Sequence, residues 1–317
     1  MPTKRMTFVP TLRGQWLGHL MRELREERGL ALREVAAYVG VDMSTLARYE
    51  RSEWAFRPDH AAWLLNVYAV HDEQTRAEVT GLAEHSGCIN WWRLDPAVTT
   101  GPPLRVRPFG VVDLPPPPIG WIYGRAERVC LYADTLVPEL FQTRAYAHAA
   151  AAHVHGPHAD ARLSIDAAVD RLIDRQRLLT AGRPAPVEVL IAEHVLHRPI
   201  GGAQVLAAQL EHLYRQPLRR DVPVTVRVLP TSADAHAGVH GPYMVLHMRT
   251  GMPPVAFIDH LGGQLIVESV HADRYTAAHQ QLWNAALTPT DSHTLLRNLT
   301  RPADRPTGTA ALATTAP

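Results

Sequence analysis

The sequence has 317 residues, of which 46% are hydrophobic and 20% are charged, as in a soluble globular protein large enough for two domains. Its 32 basic and 31 acidic side chains give a net charge of +1, which excludes a global basic field and leaves nucleic-acid contacts to a local patch. Only two cysteines, Cys88 and Cys130, are present, and no apolar run approaches the roughly 20 residues that span a bilayer. We therefore expect a cytoplasmic, reduced protein that has no membrane partner.

Composition divides the chain into four predicted regions. Residues 1–90 carry helical patterns, and residues 91–120 form a Pro-rich linker that contains four consecutive prolines. Residues 121–300 combine helical and strand patterns. Large apolar side chains are scarce in residues 301–317, so we expect a disordered tail there.

The first predicted helix lies in the segment WLGHLMRELREERG. Its apolar side chains recur at helical spacing, at Leu17, Leu20, Met21 and Leu24. Gly29 is suited to end this helix. Four basic residues precede the first acidic residue of the chain, namely Lys4, Arg5, Arg13 and Arg22. We favour a solvated surface and a frayed terminus for these four over contacts with a phosphate backbone.

Two short helices joined by a tight turn are predicted next. The segment LREVAAYVG places apolar side chains on one face, at Leu32, Val35, Ala36 and Val39. Gly40 and Val41 then turn the chain, and Asp42 is a good N-cap for the following helix. In MSTLARYERS only Leu46 and Tyr49 are suited to burial, so the outer face stays polar. Such an arrangement is typical of a helix-turn-helix unit.

These helices resemble the helix-turn-helix of the lambda-repressor-like, xenobiotic-response-element (XRE) class of bacterial regulators. The segments REVA (33–36) and STLARYE (44–50) match the pattern of that class. The match departs at Ala31 and Leu32, where the class usually has Thr-Gln to cap the helix and reach a phosphate. The resemblance implies double-stranded DNA as a partner.

A recognition helix places its N-terminal side chains against base edges in the major groove. The predicted base readers are therefore Met43, Ser44, Thr45 and Arg48. We assign Arg33 to the DNA-binding surface as well, and Arg51 and Arg57 to phosphate contacts. One short recognition helix covers few base pairs, so we expect a homodimer.

Alternating hydrophobicity predicts strands beyond the linker. In VPVTVRVLP four valines alternate with other residues, at Val222, Val224, Val226 and Val228. YMVLHM and VAFIDHL are two more candidate strands, and the short connection RTGMP between them favours antiparallel pairing. Helices before and after are expected to cover one face. The expected fold is thus a mainly α N-terminal helix-turn-helix domain plus a C-terminal α+β domain with a largely antiparallel sheet.

Several segments in fixed order resemble the domain called DUF5753, which in actinobacteria follows an XRE-type helix-turn-helix. They are ADTLVPELFQTRAYAHA (133–149), DRLIDRQRLL (170–179), and the stretches 189–213, 222–248 and 285–296. The resemblance implies a transcriptional regulator whose C-terminal domain senses a small molecule or a partner protein. It also implies a natural partner among the small acidic DUF397 proteins that are often encoded beside such regulators.

Five polar residues in apolar surroundings of the C-terminal domain are the strongest candidates for ligand or partner contacts. They are Gln142, Tyr146, Arg175, Gln176 and Glu193. These side chains could equally form a buried structural network.

An enzyme of specialised metabolism with a vestigial helix-turn-helix is the alternative function. It is motivated by Ala31 and Leu32 and by the eighteen histidines. No histidine has an acidic or cysteine ligand beside it at a recognised metal-binding spacing, so we expect no metal, no cofactor and no catalytic residue.

Overall fold

A computed structural model describes residues 10–86, 92–94, 119–155, 165–180, 184–233, 236–249, 252–260, 263–268 and 271–300. The first five helices are α1 (Leu12–Glu27), α2 (Leu32–Val39), α3 (Met43–Glu50), α4 (Pro58–Val67) and α5 (Glu73–His85). The later helices are α6 (Ile119–Tyr123), α7 (Arg144–His155), α8 (Ile165–Gln176), α9 (Ala203–Arg215), α10 (Asp273–Ala285) and α11 (Pro289–Thr300). No helix in these ranges is long and apolar enough to cross a bilayer.

The strands are β1 (Trp92–Leu94), β2 (Ala126–Ala133), β3 (Val187–Ala192), β4 (Val224–Leu229), β5 (Tyr243–Met248), β6 (Val255–His260) and β7 (Gly263–Glu268). They form one mixed sheet in the order β1-β7-β6-β5-β2-β3-β4. The pairs β2–β3 and β3–β4 are parallel, and the other four pairs are antiparallel. The predicted combination of a helical N-terminal domain with a largely antiparallel α+β domain is confirmed.

Helices α1 to α5 pack around their own apolar core. It includes Leu17 and Met21 of α1, Val35 of α2 and Leu46 of α3, all of them fully buried. Gly29 follows α1 with φ +66°, a left-handed conformation that glycine adopts without strain. The helices that the apolar periodicity predicts in this region are therefore confirmed.

Residue alternation in the strands separates the two faces of the sheet. All four valines of the predicted strand VPVTVRVLP are buried on the face that α9 and α11 cover. The opposite face, which includes Leu190 and Val245, packs against Leu282 of α10. The expectation of one covered face was wrong, because β2 and β3 carry apolar side chains at successive positions and α10 covers the second face.

The predicted linker contributes one strand to this sheet. β1 lies within residues 91–120 and pairs antiparallel with β7. Residues 95–118 of the linker and the predicted tail, 301–317, lie outside the described residues. The division of the chain into four regions stays a prediction.

Candidate nucleic-acid interface and ligand cavity

The turn between α2 and α3 depends on a glycine in the left-handed region. Gly40 follows α2 with φ +74°, and Asp42 occupies the N-cap position of α3, although its side chain makes no capping hydrogen bond. At the start of α2, Ala31 provides no side-chain cap, and the Glu34 carboxylate accepts a hydrogen bond from the Ala31 backbone N–H at 2.9 Å. α2 thus keeps one half of a capping box without the usual threonine.

α3 buries one face and exposes the other. Leu46 and Tyr49 are buried in the core of the helical domain. Met43 is 53% exposed, Ser44 is exposed and Thr45 is half-buried. The accessible residues thus lie at the N-terminal end of α3, which is the end that a helix-turn-helix unit inserts into the major groove.

Arg48 is oriented by an aromatic neighbour. Its guanidinium carbon lies 4.5 Å from the ring centroid of Trp54, which is itself 44% exposed. Stacking uses the face of the guanidinium and leaves its in-plane N–H groups for hydrogen bonds, such as a bidentate contact with guanine. Arg48 is therefore a candidate base reader that is already oriented without DNA.

The three other predicted DNA-binding arginines are exposed around this unit. Arg33 lies in the first turn of α2. The Arg51 guanidinium bonds the Glu53 carboxylate at 2.7 Å, and Arg57 pairs with an aspartate two residues later in the same way. Such exposed ion pairs are weak, so a phosphate can replace the carboxylate partner.

Helix α3 is fixed to α1 by a buried ion pair and a close backbone approach. The Arg25 guanidinium donates to both carboxylate oxygens of Glu50, at 2.7 and 2.9 Å, and to the carbonyl oxygen of Leu30 at 2.9 Å. Gly18 lets α1 approach the end of α3, because a Cβ there would lie 2.7 Å from the Glu50 carbonyl oxygen. The orientation of α3 is thus determined by contacts on its buried side.

The basic N-terminal residues do not form one surface. Lys4 and Arg5 lie outside the described residues. Arg13 is fully buried, so the expected solvated surface is wrong for this residue. Arg22 is exposed and pairs with Glu26 at 2.8 Å along α1.

The N-terminus of α1 contacts the C-terminal domain. The Leu12 backbone N–H, in the first turn of α1, donates to the Glu268 carboxylate of β7 at 2.6 Å, and Glu268 is 1% exposed. A carboxylate at this position satisfies an otherwise unpaired helical N–H and interacts favourably with the helix dipole. Nearby, the rings of Trp16 and Trp121 meet edge to face with centroids 5.2 Å apart. The helical domain and the sheet are therefore in direct contact.

A cavity of about 340 Å³ lies between one end of the sheet and helices α7 and α8. Much of its wall is apolar and comes from residues 131–142, α7, α8 and β5. The hydrogen-bonding and charged side chains that face it include Glu139, Gln142, Arg171, Arg175, Asp259 and Gln264. An apolar cavity with a few converging polar groups is typical of a small-molecule site.

Carboxylates and guanidinium groups both line this cavity. Half of the Glu139 side chain is accessible, but it faces the cavity, and burial there raises its pKa while the nearby Arg175 guanidinium opposes the rise. Arg175 donates to Glu139 at 3.1 Å. Across the cavity, the Gln264 amide donates to Asp259 at 2.6 Å. The cavity can therefore offer both carboxylate acceptors and a guanidinium donor to a ligand.

Three of the five predicted contact residues meet at the cavity. Gln142 and Arg175 line it directly. Gln176 lies behind them, where its side-chain amide donates to the carbonyl oxygens of Glu139 and Gln142 at 2.8 Å each. The amide of Gln176 thus holds the segment that carries the Glu139 carboxylate.

The other two predicted contact residues have different surroundings. Tyr146 is fully buried, and its hydroxyl accepts a hydrogen bond from the Val137 N–H at 3.3 Å. Glu193 follows β3 and accepts hydrogen bonds from the backbone and hydroxyl of Thr231, at 2.8 and 3.1 Å. Neither is among the residues that line the cavity, and Glu193 is not brought together with the other four.

A second polar cluster lies under α10 and was missed by sequence reasoning. Cys130 of β2, Glu188 of β3 and His279 of α10 bring their ligand atoms within 4.8 Å of one another. His279, Cys130 and Arg128 hold the pKa of the Glu188 carboxyl at about 2, against the opposing effect of burial. Burial raises the pKa of the Cys130 thiol, so this cysteine is not an activated nucleophile. The signal in the sequence was one Cys and one Glu, each beside an apolar run, but the pairing that brings them together is visible only in the structure.

Family models match both halves of the chain. The model of a helix-turn-helix domain matches residues 16–79, which include α2 and α3. The model described as domain of unknown function (DUF5753) matches residues 123–298, more than half of the sequence. The chain therefore belongs to the DUF5753 family, and both resemblances found in the sequence are confirmed. No curated protein and no solved structure matches the chain.

Proposed function

We propose that this protein is a sequence-specific transcriptional regulator that binds duplex DNA as a homodimer and responds to an effector held by its C-terminal domain. The helix-turn-helix domain indicates DNA binding. The observation that carries the proposal is the exposed N-terminal end of α3, held from its buried side by the Arg25–Glu50 pair. A rigid helix with an accessible polar end is what base recognition requires.

In this proposal, Met43, Ser44, Thr45 and Arg48 read bases. Arg48 supplies the strongest specific contact, because a stacked guanidinium can bond the two acceptors of guanine. The exposed guanidinium groups of Arg33, Arg51 and Arg57 bind phosphates and position the domain, as set out above.

The effector part of the proposal rests on the cavity beside α7 and α8. Gln264 of β7 lines this cavity, and Glu268 of the same strand bonds the N-terminus of α1. A ligand that moves Gln264 therefore acts on a strand that contacts the DNA-binding domain. Gln142, Tyr146, Arg175, Gln176 and Glu193 remain our candidates for contacts with a small molecule or a small acidic DUF397-type protein.

The test is a mobility-shift competition with fragments from around the protein's own gene. Arg48→Ala should weaken specific binding by about 1–3 kcal/mol, or roughly 5- to 150-fold, and leave nonspecific binding nearly unchanged. Arg274→Ala removes the same charge from an exposed site on α10 and is the matched control. If wild-type protein prefers none of these fragments over competitor DNA, the proposed regulator function is wrong.

A further inference from the structure

The cluster under α10 joins three different metal-binding side chains from three elements. The parallel register of β2 and β3 places Cys130 directly beside Glu188, and the Cys130 Sγ atom lies 3.3 Å from Oε2 of Glu188. From α10, Nε2 of His279 lies 3.4 Å from the same oxygen. One sulfur, one oxygen and one nitrogen therefore converge on a single point between the sheet and the helix.

His279 is buried within this cluster and is only partly satisfied by hydrogen bonds. The residue is 4% exposed; its Nδ1 has no hydrogen-bond partner among the described residues, and its Nε2 contacts the Glu188 carboxylate oxygen at 3.4 Å. Leaving a buried polar atom unpaired costs about 1–3 kcal/mol, so native structures seldom retain one without a role. The other ring nitrogen, Nε2, faces the Glu188 oxygen that the cysteine also approaches.

The second oxygen of the Glu188 carboxylate is held from outside the cluster. The Arg128 guanidinium donates to Oε1 of Glu188 at 3.3 Å and also lies 3.3 Å from Nε2 of His247. This leaves Oε2 directed toward Cys130 and His279. Outer hydrogen bonds that orient a ligating carboxylate in this way are a regular part of protein metal sites.

We propose that Cys130 Sγ, Glu188 Oε2 and His279 Nε2 bind a divalent transition-metal cation, with zinc as the best fit. Thiolate and imidazole ligands disfavour magnesium and calcium, whereas sulfur, nitrogen and carboxylate oxygen are the usual donors to zinc. Ligand atoms around a tetrahedral zinc lie about 3.5 Å apart, given bonds of about 2.0–2.3 Å. Two of the three observed separations, 3.3 and 3.4 Å, are close to this value, and the third is within 4.8 Å. On binding, the Cys130 thiol releases its proton to solvent, and the fourth position stays open to water.

The test is a Co²⁺ titration of the reduced, metal-free full-length protein. Cobalt bound to a thiolate shows a sulfur-to-metal charge-transfer absorption in the near ultraviolet, which cobalt on histidines alone does not. This distinction matters because the chain has 18 histidines. We expect one equivalent of cobalt to produce the band, and zinc to abolish it by displacing cobalt. His279→Ala should weaken cobalt binding by roughly 10-fold or more, because mutation of residues that only hydrogen-bond to metal ligands already lowers metal affinity by about that factor.

Cysteine variants separate this site from any other. Cys130→Ser should abolish the charge-transfer band, whereas Cys88→Ser, which changes the only other cysteine, should retain it. Circular dichroism shows whether each variant is folded, and the wild-type titration is decisive by itself. Absence of the band in wild-type protein, or its loss in Cys88→Ser with retention in Cys130→Ser, would overturn the proposal. These outcomes do not depend on DNA binding.

Discussion

Replacement of Glu50 by glutamine tests whether α3 is held by a buried ion pair. Glu50→Gln removes the charge but keeps the size of the side chain, and it leaves the buried Arg25 guanidinium with only the half-exposed Glu26 carboxylate, 3.3 Å away, as a counter-charge. Only 8% of the Arg25 side chain and 5% of the Glu50 side chain are exposed. Loss of one partner of a buried pair costs about 3–5 kcal/mol, a large part of the 5–15 kcal/mol that stabilises a typical domain.

Urea denaturation followed by circular dichroism at helical wavelengths measures this cost. Glu53→Gln is the matched control, because Glu53 also accepts two hydrogen bonds from one arginine, Arg51, but on the protein surface. We expect this control to have little effect, since both of its side chains are about half exposed. Replacing Arg25 and Glu50 together with Met and Leu should restore most of the lost stability. Equal effects of Glu50→Gln and Glu53→Gln would refute the argument from buried charge.

Three further changes test the close approach of α1 to α3, the cavity and the domain contact. Gly18→Ala should destabilise the helical domain by about 1–3 kcal/mol, measured by urea denaturation, because its Cβ meets the backbone of α3. Glu139→Gln should make the free energy of unfolding less dependent on pH, because burial raises the pKa of Glu139 in the folded state. The stability that protonated Glu139 contributes is fully present below about pH 4.5. It is lost as the pH rises through the raised pKa of the folded state. A wild-type stability that does not fall relative to the variant between pH 4 and 8 would contradict this assignment. Glu268→Ala should cost about 1.5–3 kcal/mol in thermal unfolding, because the Leu12 N–H stays buried and unpaired, whereas Glu268→Gln, which keeps an acceptor, should cost less.

Local patterns predicted the elements of this fold better than their arrangement. The helical spacing of apolar residues in α1 and their alternation in β4 depend only on residues close in sequence, and both elements are observed as predicted. The parallel pairing of β2, β3 and β4 depends on connections through α7, α8 and α9, which no local period encodes. The apolar runs VCLYA in β2 and VLIA in β3 are typical of strands that are buried on both faces, whereas the alternation in β4 indicates only one buried face.

The same difference between local patterns and contacts of distant segments applies to the candidate sites. The exposed N-terminal residues of α3 belong to one short segment, so a pattern of polar and apolar positions was enough to select them. By contrast, Glu139 and Asp259 reach one cavity, and Cys130 and His279 reach one cluster, only after distant elements pack together. Glu193 lies away from the cavity and accepts a hydrogen bond from the Thr231 backbone, so its predicted ligand contact stays a prediction.

The position of β7 connects the cavity with the helix-turn-helix domain. Gln264 and Glu268 are four residues apart, so they lie on the same face of the strand and about 13 Å from each other. A strand paired on both sides moves as a unit, and β7 is paired with β1 and β6. A cavity ligand can change the free energy of DNA binding only by the difference between its own binding free energies for two positions of β7. Such differences are typically about 1–3 kcal/mol. An isolated helical domain lacks Glu268, so we expect its DNA affinity to be unchanged by any ligand of the cavity. If an effector still changes the DNA affinity of residues 1–90, the effector site lies elsewhere.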